Sequence, residues 1–425
     1  MRKMKDSGVE WIGEIPQEWN VERIGKHFQQ RIELVSDKDF APLSVTKLGI
    51  LPQLENAAKT ANGDNRKLVR NGDYVINSRS DRKGSSGVAY MDGSVSLINI
   101  VLKPIDCCMP FFNMLFRSYH FTEEFYRYGH GIVADLWTTR FSEMKNIQIP
   151  VPSIIKQQAI ADYLDRKCGE IDRLVALQEE MIAELGAYKQ SVISEAVTRG
   201  LNPDVPLKDS GIDWIGQIPQ HWEVRNLSKI IWLRSRLGWR GLKAEEYTET
   251  GYPFLSAFNI VDNRLVWNEL NFINKERYNE SPEIKLSIGD ILIVKDGAGI
   301  GKCAIVDSLP FGESTVNSSL GVITPLHGLD STFLYYFLLS DSFQRMVIYL
   351  KNGMGVPHLT QTNMRSVNIQ TPPLAEQQAI ASYLNRKCAD IDSLIALKQQ
   401  KIGELGAYKR SLIFECVTGK REINQ

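Results

Sequence analysis

Two stretches of this chain, Gln157 to Thr198 and Gln377 to Thr418, carry apolar residues at alternating spacings of three and four, the pattern of a long helix with one sticky stripe. The positions shared by both are Ile171 and Ile391, Leu174 and Leu394, Val175 and Ile395, Ile182 and Ile402, Leu185 and Leu405, Tyr188 and Tyr408, and Val192 and Leu412, a repeat of roughly heptad period. Prolines stand just before each stretch (Pro150 and Pro152; Pro372 and Pro373), glycine closes each (Gly200; Gly419), and none of the intervening residues is proline. The other faces are polar, so these residues are expected to pack helix on helix, each stripe covering the other copy. Antiparallel pairing would give a rod of about 60 Å at ~1.5 Å per residue. The plainer alternative is two ordinary amphipathic helices inside one larger core.

Between and before these stretches the period changes to that of strands. The first insert reads LVRNGDYVINS, SSGVAYMDG and SVSLINIVLKP, and the second GDILIVKDG, GKCAIVDS and SLGVITP. Each insert ends on a shorter helical segment, FFNMLFRSYHFTEEFYRYG or FLYYFLLSDSFQRMVIYLKNG. The fold class expected is α+β, with two α/β domains separated by a long antiparallel two-helix coiled coil. The expected segments are residues 1–152, 153–200, 201–372 and 373–425, the second and fourth being the long helices.

The chain is an internal duplication. Residues 5–21 return as 208–224 with 12 of 17 identical, and the long helical stretches match at 27 of 42 positions. The inserts share only traces, such as LVRNGDYVINS against LSIGDILIVKD. Connectors that agree around contents that differ suit two sites of one architecture that recognise different things. Segments such as AELGAYK and GELGAYK agree even at polar positions, which suggests a doubled docking surface for a partner protein.

Composition narrows the partners. The chain has 425 residues, 50 basic and 50 acidic, so no global charge calls for a polyanion and any nucleic-acid site has to be local. Such clusters exist. Arg66, Lys67, Arg70, Arg79, Ser80, Arg82 and Lys83 gather in the first insert. Arg234, Arg236, Arg240 and Lys243 gather in the second, interleaved with Trp232 and Trp239, for which core packing is the expectation. Lys295 and Lys302 flank the tip that corresponds to Asn77–Gly87. These residues are the candidate DNA contacts, since arginine and lysine hold phosphates and read guanine edges; solvated surface charge is the competing reading.

Catalytic signatures fail. GAGIGK at Gly297–Lys302 lacks the glycine and the Ser/Thr of a phosphate loop and leads into a strand pattern instead of a helix. Histidines are scattered, and neither a zinc spacing nor an Asn-Pro-Pro-Phe tetrapeptide occurs. The six cysteines form no CxxC pair, and no apolar run is long enough for a bilayer, so a cytoplasmic protein is expected, with no catalytic residues, metal or cofactor of its own.

The segments SGVEWIGEIPQEW and SGIDWIGQIPQHW before the inserts, and IQIPVPSIIKQQAIADYLD and IQTPPLAEQQAIASYLN after them, resemble the specificity subunits of type I restriction-modification systems over virtually the whole chain. The resemblance implies two target-recognition domains reading a bipartite, asymmetric DNA site across an unread spacer set by the helices. It implies two modification subunits that use S-adenosylmethionine, and restriction subunits that use ATP and Mg, with no chemistry on this chain. Departing from the family's commoner pattern, the first insert lacks the GDILI-K-DG-GIGK hairpin of the second. A protein-only scaffold and a self-sufficient nucleotide-dependent enzyme are the alternatives.

Overall fold

The computed structural model describes residues 2–54, 63–131, 137–236, 244–297, 299–351 and 359–423. The chain divides into two compact units, residues 1–179 with 399–425 and residues 180–398, so each unit takes a length of both long helices. This division cuts through the helices, whereas the segments expected from sequence treat each helix as a piece by itself.

In the first unit four antiparallel strands lie in the order Ser86–Val88, Tyr74–Asn77, Asn99–Pro104, Phe28–Gln30. The second unit repeats the order with Cys303–Ile305, Ile291–Val294, Leu320–Pro325, Ile231–Arg234. Register agrees as well: Val75 faces Val101, and Leu292 faces Val322. Gly72 N–H donates to the Ala89 carbonyl at 2.8 Å and Gly289 N–H to that of Val306 at 2.8 Å. The hairpin whose sequence pattern is missing from the first insert is therefore present there as a structure. Its residues have diverged while the pairing that defines it has not.

One face of each sheet is covered by a helix pair broken at a serine: Met109–Arg117 and Tyr119–Arg127, or Ser331–Leu339 and Asp341–Lys351. Ser118 and Ser340 each return the side-chain hydroxyl to the carbonyl three residues back, ending the first helix of the pair. A second core lies on the other face, around Leu43, Ile50, Val75 and Val101 in one unit and Leu255, Ile260, Leu292 and Val322 in the other.

The long helices run Ile154–Arg199 and Leu374–Val417. Just inside each start a glutamine is sealed from water. Gln157 donates to the Pro152 carbonyl at 2.9 Å and accepts from Cys108 N–H at 3.1 Å. Gln377 donates to the carbonyls of Pro372 and Gly328 at 2.8 and 3.0 Å and accepts from Asp330 N–H at 2.8 Å. The ends are glycines of positive φ, Gly200 at +79° and Gly419 at +72°, each against a buried tryptophan, Trp222 or Trp19. A side chain there would be strained by the backbone and would crowd the indole.

Inside each unit the helices run in opposite directions. In the first, Lys156 reaches the Ile423 carbonyl at 2.7 Å and Lys409 pairs with Asp172 at 2.6 Å. In the second, Lys189 pairs with Asp392 at 2.6 Å and Lys398 donates to the Met181 sulfur at 3.3 Å. Of the residues expected to pack helix on helix, Ile171 and Ile391 are buried, and Val175, Ile182, Leu185, Ile395, Ile402 and Leu405 are half-buried. Leu174, Leu394, Tyr188 and Tyr408 are not in the seam: each is about half exposed, at 47–48%. The covered line follows 171, 175, 178, 182 and 185, and these four residues sit next to it on the open side.

Candidate nucleic-acid interface

The basic loop of the first unit grows from the hairpin Tyr74–Asn77 and Ser86–Val88. Asn77 fixes its root: its side chain accepts from Arg79 N–H at 3.0 Å, and its carbonyl accepts from the Tyr126 hydroxyl at 2.9 Å. A 3-10 turn, Ser80–Arg82, follows, and Gly84 at φ +81° turns the chain back. Ser80 N–H donates to the Trp137 carbonyl at 2.9 Å. Arg79 and Arg82 are exposed, and Lys83 pairs with Glu123 at 2.6 Å. Firm backbone and exposed guanidinium groups, that of Arg82 beside Asp81 at 3.8 Å, give pre-positioned donors for phosphates or base edges.

Sequence spacing hid what the fold adds here. A cleft of about 630 Å³ opens beside the loop, lined by Lys47, Asn77, Arg82, Ser85, Ser96 and Asn99 among others. A second hollow of about 380 Å³ gathers Lys47, Lys83, Arg117 and Arg410. Lys47, Arg117 and Arg410 come from segments far apart in the chain, so no local charge run announced them. Arg117 is anchored by donating to the Lys47 carbonyl at 2.6 Å.

Several residues expected at the interface are engaged in the fold instead. Arg66 is buried, its guanidinium donating to the Ser94 hydroxyl and carbonyl at 2.9 and 3.0 Å, and burial lowers its pKa. Lys67 is half-buried on the Asn99 carbonyl at 2.6 Å, and burial lowers its pKa too. Arg70 lies over the Phe40 ring and pairs with Asp92 at 2.5 Å.

Arg234 is 6% exposed and holds Asp290 at 2.6 Å, the same place that Arg31 and Asp73 occupy in the first unit at 2.7 Å. Arg236 is also buried. Arg66, Arg234 and Arg236 are thus withdrawn as DNA contacts, because a charge count along the chain does not distinguish a core guanidinium from a surface one. Trp232 reverses its expectation: it is 52% exposed and lies under the Arg234 guanidinium at 4.4 Å.

In the second unit Lys295 is half-buried, with burial lowering its pKa, and Lys302 is exposed at the corresponding hairpin. Gly301 N–H donates to the Val294 carbonyl at 2.9 Å, and the chain then enters the strand Cys303–Ile305. A phosphate loop needs a helix N-terminus at that point. Arg240, Lys243 and Trp239 lie outside the described residues.

Among the described residues no group of three or more His, Cys, Asp or Glu could hold a metal, and no helix is long and apolar enough to cross a membrane. The geometry offers recognition by fixed donors.

The family model described as the type I restriction modification DNA specificity domain matches residues 219–406. The putative type I restriction enzyme MjaX specificity subunit of Methanocaldococcus jannaschii is 24% identical, over 97% of this chain and 96% of that one. The MjaVIII specificity subunit of the same organism is 26% identical, over 66% of this chain and 63% of its own length. For the EcoKI specificity subunit of Escherichia coli K12 the figures are 28%, 48% and 44%. The match thus spans less than two thirds of these last two relatives.

Two solved structures share the fold. One, from work on complex assembly and conformational transition of the type I R-M system, has a TM-score of 0.74 at 16% identity, covering 96% of this chain and 99% of that one. The other, the HsdS subunit from Thermoanaerobacter tengcongensis, has a TM-score of 0.54 at 16% identity, covering 96% and 98%.

Proposed function

The chain belongs to the family of type I restriction-modification DNA specificity subunits, and from that premise we propose that its two units each read one half of a bipartite DNA site for partner subunits that perform the chemistry. What carries the reading is the pair of matched sheets with unlike loops. Arg79 and Arg82 stand on the first frame and Lys302 stands on the second. A shared frame presents the loop at the same edge of each sheet, and different side chains on it select different base edges.

In this reading the long helices fix the length of DNA left unread between the half-sites, and their exposed apolar residues, Leu174, Tyr188, Leu394 and Tyr408, contribute to docking two modification subunits. S-adenosylmethionine belongs to those subunits, and ATP and Mg to restriction subunits where the system has them. The strand that follows Gly297–Lys302 supplies no helix N-terminus for a nucleotide phosphate at that loop.

Lengthening both helices by four residues, after Ala183 and after Gly403, tests the ruler. Adenine methylation mapped in cells carrying the altered chain is expected to show a longer spacer between unchanged half-sites. An unchanged spacer would refute it.

A further inference from the structure

Leu48 and Phe258, at 82% and 91% exposure, are the most exposed large apolar residues among those described. Single exposed apolar side chains are ordinary on protein surfaces. These two are matched. Leu-Ser-Val-Thr-Lys-Leu-Gly-Ile at 43–50 parallels Leu-Ser-Ala-Phe-Asn-Ile at 255–260, the second shorter by two residues. In each, the leucine at the start and the isoleucine at the end are buried in the small core behind the sheet, and the apolar residue two positions before the isoleucine points into water.

Both turns are stiff. The Thr46 hydroxyl accepts from Leu48 N–H at 3.1 Å and donates to the Gly49 carbonyl at 2.9 Å, and Arg117 holds the Lys47 carbonyl. Around Phe258, the side chain of buried Asn259 accepts from Ser256 N–H at 2.9 Å, and the Ser256 hydroxyl accepts from Phe258 N–H at 3.3 Å. An apolar group kept in solvent by a rigid turn adds nothing to folding, yet both diverged inserts keep one.

Their surroundings are polar and partly cationic. Leu48 follows Lys47, which lines one cleft with Arg82 and another with Arg117. The Leu255 carbonyl, at the foot of the other turn, accepts from Asn317 N–H at 2.8 Å; two residues on, the Ser319 carbonyl accepts from Lys295 N–H at 2.9 Å. The Phe258 turn is thus joined to the root of the hairpin bearing Lys302. A protein-docking anchor is expected within an apolar patch. An apolar tip next to a cation-lined cleft, as at Leu48, or on a turn tied to a hairpin that bears a lysine, as at Phe258, suits a stacked duplex, into which Leu and Phe wedges are known to press.

We propose that Leu48 and Phe258 are wedges, one for each half-site, that press into the base stack when the duplex is gripped. They would add to sequence choice through the ease with which the contacted step opens. The proposal rests on the DNA-reading function given above and names residues that reading does not need.

The test uses the full chain assembled with its modification subunits and a duplex carrying the motif mapped from the host's methylated adenines. 2-Aminopurine is scanned through half-site positions other than the methylated adenine. With the native chain, fluorescence is expected to rise at one step in each half-site. Leu48→Ala should abolish the rise in one half-site and Phe258→Ala in the other, each weakening binding by roughly tenfold to a hundredfold, the range for withdrawing one large buried apolar side chain. Neither change touches the core, so unfolding curves should superimpose on the native one.

Native binding with no rise, or variants that match the native chain in signal and affinity, would overturn the wedges and leave the reading function standing. Lost modification subunits with unchanged half-site signals would reassign the tips to protein docking. A native complex indifferent to the duplex sequence would instead overturn the reading function.

Discussion

The Arg31–Asp73 pair of the first unit and the Arg234–Asp290 pair of the second join the same strands at the same register and yet live in different surroundings. Arg31 is partly open to solvent, at 19% of its side chain, whereas Arg234 and Asp290 are 6% and 1% exposed. The hydrogen bond to Asp73 raises the pKa of Arg31, while burial outweighs Asp290 and lowers that of Arg234. A shared architecture therefore does not imply shared energetics: the duplicated frame has kept its pairing and shifted how much of it rests on a sealed charge pair.

That contrast sets the largest effect. Asp290→Ala removes the countercharge of a buried guanidinium, which keeps only the neutral Lys285 carbonyl and Thr324 hydroxyl, and should destabilise the second unit by about 3–5 kcal/mol. Asp73→Ala leaves Arg31 with access to water and should cost clearly less, about 1–3 kcal/mol. Urea unfolding of the full chain checks this, and equal losses would mean that the difference in burial has no consequence.

Next comes recognition. Replacing Arg79 and Arg82 with alanine should weaken binding at one half-site only, by ~1–3 kcal/mol for each base edge that is no longer read. Competition between duplexes altered in either half measures it. Equal loss at both halves would show the loop to be a general phosphate grip.

The buried glutamines compare the helix starts. Gln377→Leu removes the partner of two carbonyls and an N–H, and Gln157→Leu that of one carbonyl and one N–H. Each should lower stability by ~1–3 kcal/mol, with position 377 the worse. Thermal melts of the two variants decide the order.

The smallest effect is a titration present in one unit only. His120 stacks on Phe414 at 3.8 Å between ring centres, and burial together with Lys420 lowers its pKa from the ordinary 6.5. The folded state then binds this proton less readily than the unfolded one. The stability it contributes is full above pH 6.5 and is lost as pH falls through that value toward the lowered one. Ser342 holds the equivalent place after Ser340 and does not titrate in this range. His120→Ser should therefore flatten the fall in melting temperature between about pH 7 and pH 5 that the native chain shows.

Much of the frame was legible because periodicity and repetition survive divergence. Tyr74–Asn77 and Ile291–Val294 carry a strand pattern and are strands, and the long helices start and stop near their prolines and glycines. The seam was harder. Leu174 and Tyr188 look as apolar as Val175 and Leu185, and a single residue is about 100° on a helix, enough to move a side chain from the covered to the open face.

The site was least legible. Arg66 and Arg234 resemble Arg79 and Arg82 in sequence, and only strand pairing reveals that the first two face a serine and a carboxylate inside the fold. Lys47, Arg117 and Arg410 became neighbours through tertiary packing that no local window contains.

Base modification in the host genome tests the central claim most directly. Single-molecule mapping of methylated adenines, compared between cells with and without this chain, should reveal one motif in two unlike halves separated by a fixed run of unspecified bases. A contiguous motif, or a methylation pattern indifferent to the chain, would contradict it.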